Sequence, residues 1–143
     1  MECNIFIEVD QPIVGEEEIS SIVNQVFKQL DQTGLVSVHQ IGDDKMRELN
    51  REYRDKDSTT DVLSFSMQEG DSFSRESKDY GDIFISAPQV KRQAKEYGVS
   101  PTDEFKRMLV HGVLHLSGYD HKQNDEAEEM YSLQEDLLDN ISV

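Results

Sequence analysis

Tryptophan is absent from the 143-residue sequence, and cysteine occurs once, as Cys3. A single cysteine cannot form a disulfide within the chain, which is typical of proteins from a reducing compartment. No apolar run approaches the roughly 20 residues that a membrane-spanning helix needs. Residues 1–10 also lack the basic start and the long apolar stretch of a signal peptide. The sequence therefore predicts a cytoplasmic protein with no membrane partner.

Basic residues are scarce, since 14 lysines and arginines stand against 30 aspartates and glutamates, a formal net charge of −16. This charge opposes non-specific binding to nucleic-acid backbones, so we expect no DNA partner, and any contact with RNA has to be local. Five cations lie close together, at Lys45, Arg47, Arg51, Arg54 and Lys56. On charge alone, this cluster and the acidic stretch over 125–139 indicate two solvated helix faces of opposite sign.

The length suits one domain, 1–143, and the chain contains no repeat and no linker long enough to separate two units. Strands are predicted from β-branched and aromatic residues over 3–9, 35–41, 62–66 and 81–85. Helices are predicted from apolar spacing over 16–32, from Asp43 or Asp44 to Tyr53, and over 86–97, 101–118 and 124–139. We therefore expect an α/β or α+β fold, with a single small mixed sheet of about four strands packed with about five helices.

The segment 67–80 is polar, which predicts an exposed loop between two strands. On the second predicted helix, Met46, Leu49, Asn50 and Tyr53 share one side. Several aromatic side chains are of the kind that stacks on unpaired bases, but aromatic residues in strands more often belong to the core. None of them is therefore assigned to RNA: Tyr53, Phe65, Phe73, Tyr80 and Tyr119.

Three of the four histidines lie within eleven residues, as His111, His115 and His121. His111 and His115 are four residues apart on a predicted helix, so their Cβ atoms lie about 5–6 Å apart on one face, a chelating geometry. If the helix continued, His121 would lie about 15 Å further along its axis than His111. The chain therefore has to turn after His115, and Gly118 is the residue at which a left-handed helix end costs least.

The spacing His-x-x-x-His-x-x-Gly-x-x-His is that of the metzincin zinc sites, and it predicts one Zn²⁺ per chain on a zincin-like helix. Three neutral imidazoles leave one tetrahedral position open for water, whose pKa the metal lowers to about 7. Metzincin peptidases carry a glutamate as general base directly after the first histidine, where this chain has Gly112, so a peptidase mechanism is not expected. A structural metal stays open as an alternative, with Asp120 or Cys3 as the fourth ligand.

The segment from His111 to His121 resembles the signature of the YbeY family of bacterial rRNA maturation factors, described as metal-dependent single-strand endoribonucleases. Further similar blocks run from Leu49 to Phe65 and over 81–83, so the resemblance covers nearly the whole chain. Ser66 departs from the proline that many relatives have there. The resemblance implies zinc on the three histidines and a functionally important arginine at Arg54. It also implies single-stranded rRNA, the small ribosomal subunit and its assembly factors as partners.

Under this resemblance, Arg54 and His115 are the candidate catalytic residues. Arg54, Lys56 and Arg51 are the candidate contacts to RNA. Cleavage of a phosphodiester gathers negative charge on the phosphate oxygens, which a metal and a planar guanidinium can stabilise together. Without the resemblance, an ion pair of Arg54 with Asp57 or Asp61 is the favoured interpretation.

The general base is left unassigned. Three aspartates are weak candidates, and each suits a turn cap or an acceptor for a histidine N–H equally well: Asp61, Asp82 and Asp120. Either a metal-bound water or the ribose 2′-OH can act as the nucleophile. Two other functions also stay open: a ribosome-assembly or RNA-binding factor with a structural metal, and a zinc hydrolase of a small amide or ester.

Overall fold

The computed structural model describes residues 2–66, 79–119 and 124–141. The strands are β1 (Glu2–Glu8), β2 (Leu35–Ile41), β3 (Val62–Ser66) and β4 (Asp79–Ser86). The helices are α1 (Glu16–Gln29), α2 (Asp43–Arg54), α3 (Ala87–Tyr97), α4 (Pro101–Leu116) and α5 (Asn124–Asp139). The predicted class, with four strands and five helices, is confirmed for these residues. In the same part of the chain, no helix combines the length and the apolar character that crossing a bilayer requires.

The four strands form one mixed sheet in the order β1-β2-β4-β3. β1 pairs with β2 and β2 with β4 in parallel, whereas β3 pairs with β4 in antiparallel orientation. Parallel neighbours need a crossover between them, and α1 provides the crossover from β1 to β2. The mixed sheet follows from this arrangement, since only β3 runs against its neighbour.

The two faces of the sheet carry different helices, because successive side chains of a strand point to opposite sides. Val38 and Ile83 belong to the main core, into which α1 and α4 pack. On the opposite face, Phe84 packs against a smaller cluster beneath α2, whose buried members are Ile41, Met46, Leu49 and Leu63. The histidines of α4 and the arginines of α2 are therefore carried by helices on opposite faces of one sheet.

Two aromatic residues differ from the sequence-based expectations. Tyr80 was expected in an exposed loop, but β4 already begins at Asp79, and Tyr80 is buried with its ring 5.1 Å from that of Phe27 on α1. The strand was predicted to begin two residues later, at Gly81, because the residues before Tyr80 are polar. Tyr53 shares a side of α2 with Leu49, yet it is 61% exposed because it lies in the last turn, beyond the buried cluster.

Candidate functional site

Helix α4 carries two of the predicted metal ligands, His111 and His115, one turn apart. The hydroxyl of Ser100 caps the helix by accepting a hydrogen bond from the backbone N–H of Asp103, at 3.1 Å. His111 is half-buried and His115 is exposed. After the helix ends at Leu116, Gly118 adopts a φ of 103°, so the predicted turn is confirmed. The third predicted ligand, His121, and its neighbour Asp120 lie outside the described residues.

Gln134 of α5 fixes the orientation of His111. The Nδ1 atom of His111 lies 2.9 Å from Oε1 of Gln134, and Gln134 is only 2% exposed. An amide oxygen only accepts hydrogen bonds, so Nδ1 carries the proton, and in this tautomer Nε2 is the nitrogen with the lone pair that a metal binds. The ring of Tyr131, also on α5, lies 6.1 Å from that of His111 at an angle of 25°. Helix α5 therefore supports the histidine that α4 supplies.

Gln134 was missed from the sequence, although a signal was present. It lies between Met130 and Leu137 at helical spacing, so it is a polar residue within the apolar stripe of α5. A polar residue in such a stripe is buried, and a buried polar group needs a partner. The partner here is a histidine of the neighbouring helix.

The packing of Gly112 against the sheet explains why α4 carries no glutamate directly after its first histidine. A Cβ atom at this position would lie 2.9 Å from Cγ2 of Ile83 on β4. The position therefore faces the sheet, at a distance that leaves no room for a side chain. The peptidase-type base is absent because this face of α4 is used for packing.

Within the described residues, no group of three or more histidine, cysteine, aspartate or glutamate side chains is placed to hold a metal ion. His111 and His115 fit a metal by spacing and by the tautomer that Gln134 favours, and the turn at Gly118 allows a third ligand from further along the chain. Cys3 is on β1, beside Glu16 of α1, where burial raises the pKa of its thiol to about 11. The thiolate that zinc binds is therefore disfavoured at Cys3.

Arg54 is the last residue of α2, and its side chain is exposed. The expected ion pairs with Asp57 or Asp61 are not formed among the described residues. Asp57 instead binds Arg47, with Nε to Oδ1 at 2.8 Å and Nη2 to Oδ2 at 3.1 Å. Asp61 accepts from the backbone N–H of Val62 at 2.8 Å, and its other oxygen accepts from an amide of α3 at 3.2 Å. Within the part of the chain that the structure describes, neither aspartate therefore engages the guanidinium of Arg54.

The two other predicted RNA contacts, Arg51 and Lys56, are also exposed, and they flank Arg54. The backbone after α2 turns at Asp55, whose φ is 56°. The buried Asn50 then holds the following segment, because its Nδ2 donates to the carbonyl of Ser58 at 2.9 Å. This turn keeps the three cations at one end of α2.

Asp43, at the start of α2, ties this segment to α3 and β4. Its carboxylate accepts from Thr59 at 3.1 Å, from Ser86 at 3.0 Å and from both terminal nitrogens of Arg92, at 2.8 and 2.9 Å. The hydrogen bonds from Arg92 hold the pKa of Asp43 below its ordinary value. The segment that follows Arg54 is therefore anchored to the rest of the domain by a charged network.

Of the candidate bases, Asp82 lies on the wrong face for the histidines of α4. It precedes Ile83, which packs against α4, so its own side chain points to the α2 side. There its Oδ1 atom lies 2.9 Å from Nε2 of His39. Asp61 is engaged by the backbone of Val62, as expected of a turn cap.

Comparison with known proteins places these residues in a family context. A family model described as Endoribonuclease YbeY matches residues 4–142. A protein of Bacillus cereus (strain B4264) named Endoribonuclease YbeY is 36% identical over 143 residues, with 92% of each chain covered. A protein of the same name from Bacillus velezensis is 48% identical over 110 residues, which cover 73% of this chain and 70% of the relative. A solution structure of a Thermotoga maritima protein matches 96% of this chain and 87% of its own, with a TM-score of 0.67 and 26% identity.

Proposed function

Because the chain belongs to the endoribonuclease YbeY family, we propose that it is a metal-dependent endoribonuclease that cleaves single-stranded rRNA during maturation of the small ribosomal subunit. The observation that carries the metal dependence is the pair of imidazoles on α4, with Nδ1 of His111 held 2.9 Å from the amide oxygen of Gln134. A metal-binding histidine almost always has such a partner on its second nitrogen, which fixes the tautomer and the ring orientation.

The metal in this proposal is one Zn²⁺, held by His111, His115 and His121. When bound, zinc supplies a Lewis acid for a phosphate oxygen and a water that ionises near neutral pH. The residues of the chain position it: α4 presents two imidazoles on one face, Gln134 fixes the tautomer of the first, and the turn at Gly118 redirects the chain toward the third.

Arg54 is proposed to stabilise the charge that develops on the phosphate oxygens. Because α2 and α4 pack on opposite faces of the sheet, Arg54 would have to reach a phosphate at the metal around β3, the strand at the edge of the sheet. Its planar guanidinium matches two oxygens at once, as the ammonium of a lysine would not. Arg51 and Lys56 would bind the neighbouring phosphates of the same strand. Since Gly112 faces Ile83, α4 provides no carboxylate at the position after His111 to take a proton from the nucleophile.

We further propose a cytoplasmic location, with ribosomal small subunits and their assembly factors as partners. The acidic charge of the chain, −16, supports the ribosomal partners, because it weakens the attraction to free RNA. A ribosomal partner would supply the affinity that the three cations at the end of α2 lack on their own.

The test uses the zinc-loaded full chain and its Arg54→Ala variant on single-stranded and double-stranded RNA. Loss of Arg54 is expected to slow cleavage of single-stranded RNA by about 10²-fold or more, which is the effect of removing one group that stabilises transition-state charge. Bound metal and melting temperature should stay at their wild-type values. Lys95→Ala, which removes an exposed cation from α3, is the matched control.

A His115→Ala preparation, purified in parallel, detects contaminating nuclease. Cleavage by Arg54→Ala at the wild-type rate would refute the role of Arg54. A wild-type chain that binds RNA and zinc but cleaves nothing would identify an RNA-binding factor with a structural metal. Hydrolysis of small amides or esters in place of RNA, abolished by a chelator, would identify the third function.

A further inference from the structure

A row of aromatic rings crosses the sheet face that carries α2. Strand register places Phe6 opposite His39 and His39 opposite Phe84. These three rings stack, with centroid separations of 4.7 and 4.1 Å and interplanar angles of 13°. Phe65 meets Phe84 edge-on at 5.7 Å, and Tyr53 meets Phe65 at 5.2 Å. We call these five residues the aromatic row; it runs from β1 to the end of α2.

Helix α2 covers only part of this row. Phe6 and Tyr53, at its two ends, are exposed, whereas Phe65 and Phe84 are half-buried. Between α2 and the sheet lies a cavity of about 340 Å³, lined by Leu49, Tyr53, Phe65, Asp82 and Phe84. This volume falls within the range of sites that bind small organic groups, about 300–1,000 Å³. We call this cavity the α2 pocket.

Among the described residues, the lining of the α2 pocket combines flat apolar walls with one carboxylate, that of Asp82. The side chain of Asp82 is 39% exposed, and its Oδ1 atom lies 2.9 Å from His39. A carboxylate accepts about four hydrogen bonds, so the contact with His39 leaves capacity for a ligand. A flat ring with N–H donors along one edge matches this lining. Among the RNA bases, guanine has two adjacent donors, N1–H and N2–H, that can bind both oxygens of one carboxylate.

The charges around the aromatic row differ between its two ends. Arg54 directly follows Tyr53 in the chain, and both Arg51 and Arg54 belong to the last turn of α2. At the far end, exposed Glu8 lies 3.7 Å from His39. An anionic backbone is therefore favoured at the α2 end. Aromatic rings beside a cluster of cations are typical of sites for single-stranded nucleic acid.

We infer that the α2 pocket binds one unpaired guanine of a single-stranded RNA, with the base on the aromatic rings, its N–H edge on Asp82 and the adjoining phosphates on Arg51 and Arg54. The inference rests on the proposed endoribonuclease function and adds a base preference to it. A protein partner at the same surface would show no such preference.

The test measures binding of the zinc-loaded full chain to three labelled oligouridines by fluorescence anisotropy, with a gel showing that the RNA is intact at the reading. One oligouridine carries a central guanosine, one a central inosine, which lacks the N2 amino group, and one only uridine. The guanosine RNA should bind most tightly, and the inosine RNA about tenfold more weakly, the loss expected for one hydrogen bond to a charged group.

Two variants test the pocket from the protein side. Tyr53→Leu should weaken binding of the guanosine RNA by roughly 5- to 100-fold, the effect of losing one stacked base. Tyr97→Leu is the matched control, because Tyr97 is 64% exposed on α3, close to the 61% of Tyr53. Asp82→Asn loses the charge and one of the two acceptor oxygens, so it should reduce the preference for the guanosine RNA over the uridine RNA by about tenfold. Melting temperatures show whether each variant is folded, and the inosine comparison needs no variant.

Equal binding of the guanosine, inosine and uridine RNAs by the wild type overturns the inference. The inference is also overturned if Tyr53→Leu binds the guanosine RNA as tightly as the wild type does. If that variant binds RNA normally but no longer binds a protein partner, the surface is a protein-binding site. In each case, cleavage by the wild type would leave the proposed function standing. A wild type that neither binds nor cleaves RNA, both alone and with small ribosomal subunits present, would refute the proposed function itself.

Discussion

At the level of single residues, the metal site depends on an amide as much as on imidazoles. Without the carbonyl of Gln134, His111 would lose the acceptor that selects the tautomer with the proton on Nδ1 and fixes the ring orientation. Gln134→Ala is therefore expected to lower zinc affinity by roughly 10- to 100-fold, the usual effect of losing such a partner. Competition with a chromophoric chelator measures this affinity directly.

Gln134→Glu is the matched control, because a carboxylate oxygen also accepts the Nδ1 proton. It should keep zinc affinity near that of the wild type. Ser132→Ala, at an exposed position of the same helix, should also leave it unchanged. Equal zinc affinity in Gln134→Ala and the wild type would show that the tautomer of His111 is set by something else.

The spacing of the histidines was enough to predict that His111 and His115 share a face and that the chain turns at Gly118. Both follow from helix geometry within one short segment. The partner of His111 was not predictable in the same way, because 23 residues and a change of helix separate it from Gln134. Likewise, Asp57 could be expected near Arg54, but only the structure shows that it binds Arg47.

At the level of elements, α4 is held to the sheet at its glycine. Gly112→Ala would gain helix propensity, about 0.5–1 kcal/mol, but its Cβ would meet Ile83 at 2.9 Å. Since overpacking costs about 1–3 kcal/mol, the variant should be less stable by up to about 2.5 kcal/mol. Urea denaturation gives the free energy of unfolding.

Gly42→Ala is the control for this substitution, because a Cβ there would meet no atom within 4 Å. Gly42 is the N-cap of α2, where alanine is less favourable than glycine, so this change should cost up to about 1 kcal/mol. Unlike Gly112→Ala, it should be additive with Ile83→Ala. Combining Gly112→Ala with Ile83→Ala should cost less than the two changes added together, as expected for residues in contact. Strict additivity would show that the two residues do not clash.

The network at Asp43 predicts a pH dependence of stability. Arg92 lowers the pKa of Asp43 in the folded protein, so this interaction stabilises the fold fully above the unfolded pKa of about 3.9 and is lost as pH falls through the folded value. Arg92→Gln should therefore be less stable than the wild type at pH 7, and the difference should shrink below about pH 4. Urea unfolding at several pH values measures it. A difference that is constant with pH would contradict the prediction.

Most elements were predictable from local patterns, because in each strand and helix the apolar residues recur at a characteristic spacing and particular residues mark the ends. Ser86 and Ser100, for example, cap α3 and α4 as their positions before prolines suggested. The order of the strands was not predictable. The spacing of apolar residues indicates which face of a strand is buried, but not which strand lies beside it. The aromatic row was hidden for the same reason: only the register of the sheet brings Phe6 and Phe84 to either side of His39.

At the level of the whole molecule, a net charge of −16 makes RNA binding depend on a few local cations. Each phosphate contact adds about −0.7 to the slope of log affinity against log salt for a single strand. Contacts by Arg51, Arg54 and Lys56 therefore predict a slope of about −2. Anisotropy titrations over a range of salt concentrations measure this slope.

Arg51→Ala should make the slope shallower by about 0.7, whereas Lys95→Ala should not change it. The two variants each remove one positive charge, but from different helices. Their slopes should therefore differ only if Arg51 contacts the RNA. Equal slopes for Arg51→Ala and the wild type would show that Arg51 does not touch the RNA backbone.

The contact between Gln134 and His111 also orders events during protein synthesis. Helix α5 is the last of the described elements to leave the ribosome, so the histidines of α4 emerge before Gln134, the residue that orients His111. Until α5 docks on α4, the growing polypeptide should retain zinc poorly. Under the proposed function, the enzyme would then gain its cutting ability only once α5 has emerged and docked on α4.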